Sequence, residues 1–304
     1  MNLLNQAIAH TLPIVPKPVV GYFSARYISG ERLEDAVHTV KKLMDQGACA
    51  TIDVLGEHIT RREESTGYAQ QYLGVLDAIV REKLDANISL KPTQMGLKLD
   101  RNFCLDTVRG IAQAARERGL FVRIDMEDVT CTDDTFWLYQ TLLKEGYPVG
   151  VVIQAYLRRT DADLDWLIPL KANLRLCKGI YVEPREHAYK DREIIRMNYL
   201  HLLERLLQGG CYTGIATHDE EMVWGATRII RQLGLPRDRY EFQMLLGVDE
   251  ELRHIIIQGG HKLRVYVPFG RHWYAYSVRR LKENPAMAGY VLKALFKRRY
   301  TNGT

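Results

Sequence analysis

The chain has 304 residues, 46% hydrophobic and 26% charged, with a formal net charge of +5. This composition suits a folded domain with a large buried core and excludes a disordered or fibrous chain. The basic residues are spread along the chain rather than blocked, which argues against nucleic acid and favours an anionic small ligand or a membrane surface.

Residues 1–45 read as helical and precede the first strand, so they are expected to form an N-terminal helical arm ahead of a 46–304 barrel domain. The opening "MNLLNQAIAHTLPIVPKPVV" lacks the basic n-region and the small-residue cleavage site of a signal peptide. Eight β-rich runs then follow: "ACATIDVLG" (48–56), "NISLKPT" (87–93), "LFVRIDMED" (120–128), "VGVVIQAY" (149–156), "LRLCKGIY" (174–181), "YTGIATHD" (212–219), "YEFQMLLG" (240–247) and "KLRVYVPFG" (262–270). Amphipathic helical stretches separate them. Two of these, "NYLHLLERLLQGG" and "WGATRIIRQLG", end on Gly as helix C-termini do. Strand and helix in alternation predict parallel strands with helical crossovers. Eight such units in roughly 250 residues predict an α/β fold of the (β/α)8 TIM type. The rival is an open doubly wound sheet, but no G-x-G-x-x-G follows the first strand.

After the eighth strand comes "AYSVRRLKENPA" (275–286), in which Tyr276, Arg279, Arg280 and Glu283 share one helical face. That helix starts at the barrel mouth and is expected to lean over it. The C-terminal "AMAGYVLKALFKRRY" sets Met287, Val291 and Leu295 at helical spacing before Lys297, Arg298 and Arg299. Such a segment can lie on an anionic membrane, although the pattern more often describes a helix packed on its own domain. No apolar run is long enough to cross a bilayer. The five cysteines, Cys49, Cys104, Cys131, Cys177 and Cys211, are scattered without a C-x-x-C, so a reduced cytoplasmic chain without disulfides or zinc is expected.

In a barrel the strand C-terminal ends face the active site. Those ends offer Asp53, Lys91, Asp125 with Glu127, Gln154, Arg175 with Lys178, Thr217–His218–Asp219, Gln243 and Tyr266. Each has a bland alternative: Asp53 and Glu127 as ion-pair partners, the glutamines as ties for loop backbone, Asp219 as a helix N-cap. Gathered at one rim, they favour a site. Neither H-x-H nor H-E-x-x-H, nor a nucleophile elbow or P-loop, is present, so a metallohydrolase, serine hydrolase or nucleotide triphosphatase is not supported. Lys91, Arg175, Lys178, Arg279 and Arg280 make the rim cationic, which suits a carboxylate or phosphate and an anionic reduced redox ring. A lyase or aldolase barrel using Lys91 or Lys178 as a Schiff base, and a non-catalytic carboxylate-binding barrel, remain open on these residues alone.

The motifs "RIDMED", "VVIQAY", "LRLCKGIY", "IATHD", "EFQMLLG", "RVYVPFG" and "YSVRRLKEN", in that order, resemble the proline dehydrogenase family over about residues 20–295. The resemblance implies an FAD-dependent (β/α)8 flavoenzyme in its stand-alone bacterial form. It implies oxidation of L-proline to 1-pyrroline-5-carboxylate, the first step of proline catabolism, with electrons passing to a membrane quinone. A separate pyrroline-5-carboxylate dehydrogenase would act downstream, and the enzyme would be cytoplasmic with peripheral membrane contact. Carried over by the same resemblance, Arg279 and Arg280 look like the substrate-carboxylate clamp, with Lys91 a further partner. Glu283 is placed to hold one guanidinium. Asp125 and Arg175 look like the catalytic acid and the arginine beside the flavin ring. Met126, Gln154, Lys178, Gly179, Ile180, Thr217 and His218 match flavin-contact positions, and Tyr266, Tyr276 and Leu245 match the walls around the proline ring. Two departures stand out: Ile180 occupies a position where a small residue is expected, and Leu246 replaces the His of "QMLHG". No His or Cys lies in a flavin attachment motif, so the flavin is expected to be non-covalent.

Overall fold

The computed structural model describes residues 21, 25–56, 59–274 and 276–278. Its eight strands are β1 (Cys49–Val54), β2 (Ala86–Leu90), β3 (Val122–Ile124), β4 (Val149–Gln154), β5 (Asn173–Cys177), β6 (Tyr212–Ala216), β7 (Tyr240–Leu245) and β8 (Leu263–Phe269). Each pairs in parallel with the next, and β8 pairs with β1 in the register Thr51 to Tyr266, so the sheet closes into a barrel as predicted. Closure leaves none of these eight strands as an edge. All six residues of β1 and of β4 are buried, because one face meets helices and the other the barrel interior.

Seven helices follow the first seven strands in turn: α2 (Arg62–Arg81), α3 (Arg101–Glu117), α4 (Thr132–Lys144), α5 (Thr160–Leu167), α6 (Arg192–Gln208), α7 (Glu220–Gln232) and α8 (Glu250–Gln258). One more, α1 (Leu33–Asp45), precedes β1 and packs on β1 and β8. Its Ala36, Val40 and Leu43 are buried in the same apolar cluster as the strands. It therefore covers the seam where the barrel closes. The expected helix over 275–286 and the C-terminal segment lie almost wholly outside the described residues.

Local signals set the helix ends. Asp100 caps α3 by accepting from the backbone N–H of Asn102 and Phe103, and Asp191 caps α6 by accepting from those of Glu193 and Ile194. After α6 the chain turns through Gly210 at φ +77°, a conformation that glycine adopts without Cβ strain. Asp219 corrects the sequence reading. It sits at the α7 N-cap position but makes no capping bond. Its carboxylate faces Arg196 at 2.9 Å, Arg192 at 3.4 Å and Lys178 at 3.9 Å, and charge-assisted contacts outcompete a neutral backbone donor.

The interior departs from the stacked apolar layers common in such barrels. Near the strand starts, Arg264 pairs with Glu241, and Arg123 donates to the carbonyls of Val151 and Asn173. Burial lowers the Arg123 guanidinium to about 9, with Arg175 adding to the effect.

Candidate active site

The polar column continues upward to the mouth. Residues two apart on a strand point to the same side, so Ser89 and Lys91 both reach the column from the β2 end. Lys91 Nζ donates to both Asp53 oxygens at 3.0 and 3.1 Å and to the Tyr266 hydroxyl at 3.2 Å. It lies 3.7 Å from Asp125 Oδ2. Burial would lower the ammonium's pKa, but Asp53 and Asp125 outweigh it and hold Lys91 well above its ordinary value. Asp125 Oδ1 accepts from Ser89 Oγ at 2.5 Å and Arg175 Nη1 at 2.7 Å, and Oδ2 accepts from Tyr266 OH at 3.1 Å. Burial pushes Asp125 up; Arg175 and Lys91 overcome this and hold it below the usual carboxylate range. Tyr266 is pushed well above the ordinary phenol value by burial and then by Asp125, so it remains an O–H donor. Its ring lies under two cations, 5.4 Å from Arg175 and 5.9 Å from Lys91.

A cavity of about 650 Å³ opens above this network. Its size lies within the range of about 300–1,000 Å³ usual for ligand pockets. Every residue that the resemblance assigned to the site and that lies inside the described range lines it, whereas Asp53 and Glu127 from the strand ends do not. Lys91, Asp125, Arg175 and Tyr266 form the floor. Met126, Gln154, Lys178, Gly179 and Ile180 come from the ends of β3, β4 and β5. Thr217 and His218 follow β6, Leu245 ends β7, and Tyr276 comes from the segment after β8. Arg279, Arg280 and Glu283 lie outside the described residues.

Loop geometry explains part of this convergence. Gly179 adopts φ +105°, and a Cβ there would lie 2.1 Å from the Tyr156 ring, so only glycine lets the 178–181 segment pass this close. Backbone N–H of Tyr156 donates to Lys178 O at 2.8 Å, tying the β4 and β5 ends together. Glu127, offered with Asp125 at the β3 end, does not line the cavity. β3 ends at Ile124, so strand alternation no longer applies, and its carboxylate takes the N–H and hydroxyl of Thr93 at 2.8 and 2.6 Å. Gln154 Nε2 donates to Glu127 O at 3.3 Å, while its buried Oε1 has no partner among the described residues.

Tyr181 of the lining, and Ser89 and Tyr72 beneath it, escaped the sequence reading. Tyr181 follows Ile180 within the quoted "LRLCKGIY" and could have been found as the aromatic closing that run. Ser89 was legible only through alternation with Lys91. Tyr72 of α2, whose hydroxyl donates to Ser89 O at 2.8 Å, carried no sequence signal because helix-to-barrel contacts leave none. Among the described residues, no group of His, Cys, Asp and Glu could hold a metal ion. Among them, too, no helix is long and apolar enough to cross a membrane.

Fold and rim together define a (β/α)8 barrel with a cationic, carboxylate-buttressed cavity at its C-terminal mouth. The chain belongs to the proline dehydrogenase family, whose family model matches residues 36–293. It is 37% identical over 273 residues to proline dehydrogenase 1 of Bacillus subtilis subsp. natto, covering 90% of each chain. It is 35% identical over 277 residues to proline dehydrogenase of Deinococcus radiodurans, covering 90% of this chain and 89% of that one. Among solved structures, proline utilization A from Bdellovibrio bacteriovorus inactivated by N-propargylglycine superposes with a TM-score of 0.81 at 25% identity. That match covers 86% of this chain and 32% of the longer one.

Proposed function

We propose that this chain oxidises L-proline to 1-pyrroline-5-carboxylate with FAD as a non-covalent cofactor. The observation that supports it most is the mouth cavity itself: Arg175 and Lys91 fixed by Asp125 and Asp53, in a member of the proline dehydrogenase family.

The residues present fit a flavin nucleotide. Gln154 offers a buried Oε1 without a partner among the described residues, which an N–H on a ring edge would satisfy. Gly179 keeps the 178–181 segment close to Tyr156, leaving a cradle beside Met126, Thr217 and His218. Lys178, Ile180 and Arg175 complete the lining. Held by these residues, FAD would supply a two-electron acceptor for the substrate hydride and a route for those electrons to a quinone.

The chain's own groups prepare the substrate. Hydride leaves the carbon beside nitrogen most readily when the amine lone pair is free to form the C=N bond. The cations of Lys91 and Arg175 disfavour a protonated amine nearby. They also attract the substrate carboxylate, for which the family resemblance offers Arg279 and Arg280 as the principal clamp. Tyr266, Tyr276 and Leu245 confine a five-membered ring and exclude water. The ion pair with Asp53 and the raised pKa of Lys91 argue against Lys91 as a Schiff-base lysine, because an ammonium held on Asp53 cannot attack a carbonyl. The quinone lies in the bilayer, so the enzyme meets the membrane surface peripherally from the cytoplasm. The pyrroline product passes to a separate dehydrogenase.

The purified protein should be yellow, and anaerobic L-proline should bleach its flavin absorbance. Absence of bound flavin, or a flavin indifferent to proline, would overturn this reading. Arg280→Met should retain the flavin and lose at least ~10-fold in kcat/KM, as expected for a charged hydrogen bond of about 1.5–3 kcal/mol.

A further inference from the structure

We propose that Glu241 and Gln243 of β7 are positioning residues that fix the guanidinium of Arg175. The proposal rests on the reading of Arg175 as the cation beside the flavin.

A glutamine amide can sit in two orientations, which differ by exchange of its oxygen and nitrogen. Only one suits Arg175. Its Nε donates to Gln243 Oε1 at 2.5 Å, and the exchanged amide would set donor against donor. The other end of the amide decides between the two. Gln243 Nε2 donates to Glu241 Oε1 at 2.6 Å, and an ionised carboxylate accepts only. Glu241 in turn cannot rotate away. It accepts from Arg264 Nε at 2.7 Å, Arg264 Nη2 at 3.1 Å and Tyr212 OH at 2.9 Å. Arg264 is itself tied to Ala50 O at 2.7 Å, across the seam with β1.

Strand register supplies the second observation. Arg175 on β5 pairs with Gly214 on β6, and Gly214 pairs with Glu241 on β7. The middle strand has no side chain there. A Cβ on Gly214 would lie 2.4 Å from Gln243 Nε2, so the glycine leaves the gap through which the amide of β7 reaches β5. Arg175 is thus held from both sides, by Gln243 at Nε and by Asp125 at Nη1. The Glu241–Arg264 pair near the strand starts sets a bond at the mouth through one amide.

The test compares bound-flavin midpoint potentials in the wild type, Glu241→Gln, Gln243→Met and the double variant. In Glu241→Gln a single carbonyl oxygen cannot serve Arg264, Tyr212 and Gln243 together, so the Gln243 amide loses its fixed orientation. Each single variant should lower the potential by about 30 mV, a tenfold change for a two-electron couple. The double variant should fall no further than either alone. An unchanged potential in Gln243→Met, or additive shifts in the double variant, would overturn the relay. Gly214→Ala leaves Glu241 and Arg264 in place. It should reproduce the shift alone and add nothing to Gln243→Met, and it decides the question if Glu241→Gln fails to fold. A wild type without flavin would fail the flavin reading instead. The relay is then read from crystal structures, where Gln243→Met should lengthen the 2.7 Å contact between Arg175 Nη1 and Asp125 Oδ1. An unmoved guanidinium would reject it.

Discussion

Lys91 and Asp53 meet deep in the mouth, with the Asp53 side chain fully buried and that of Lys91 10% exposed. A pair this enclosed is costly to break from one side only, because the remaining charge is stranded. Lys91→Met should therefore destabilise the fold by roughly 3–5 kcal/mol in urea unfolding. Adding Asp53→Asn should recover a large part of that loss, and a double variant as unstable as the single would refute the pairing argument. Glu241 makes a second residue-scale case. Burial raises its pKa, but Arg264 overcomes this and brings it down from 4.5 to about 2. A depressed carboxylate stabilises the fold above its unfolded pKa and loses that contribution as pH falls through the folded value. The contribution, on the order of 3 kcal/mol, should therefore disappear between about pH 4.5 and 2. Glu241→Gln should flatten the pH dependence of unfolding in that window and leave the slope near neutrality unchanged. Asp53, Lys91 and Gln243 were all legible at strand ends, yet their pairing was not. Asp53 and Lys91 stand 38 residues apart, and which cation meets which acid depends on barrel register.

At the scale of the element, the 178–181 segment shows how backbone shape prepares a site. Gly179 has a positive φ and lies against the Tyr156 ring. Gly179→Ala adds a left-handed penalty of about 1–2 kcal/mol and forces the segment away from Tyr156. FAD retention, read from the ratio of visible to ultraviolet absorbance, should fall at least ~10-fold in affinity, since ~1.4 kcal/mol is a factor of ten. The thermal unfolding of the apoprotein should change by only a few degrees. Intact flavin binding would show that the segment does not form the cradle. The "KGIY" run announced this loop in the sequence. The aromatic ring that demands glycine there, 23 residues earlier at Tyr156, gave no such notice. Asp219 teaches the same lesson. Its position before α7 was legible, but its three cations come from other elements.

For the whole molecule, barrel closure brings eight strand ends to one rim and gathers polar residues from all along the chain. The net charge of +5 adds a weak attraction to anionic surfaces. The basic cluster Lys297, Arg298 and Arg299 would concentrate it, each cation near a membrane contributing about 1 kcal/mol. The intact protein should co-sediment with anionic liposomes more than a chain ending at Tyr290, and salt should weaken the difference. Equal partitioning of two flavin-loaded forms would remove the C-terminus as the anchor.

The number and order of the strands, their parallel direction and the polar residues at their ends were all legible in local patterning. Those features depend on local periodicity and on glycines at helix ends, which a chain displays before it folds. Only the tertiary structure decided that Lys91 is held on Asp53 and that α1 covers the seam between β8 and β1. It alone opened the gap at Gly214 through which β7 reaches Arg175. These are contacts between elements far apart in the chain, and their geometry exists only once closure has set the register of every strand against its neighbours.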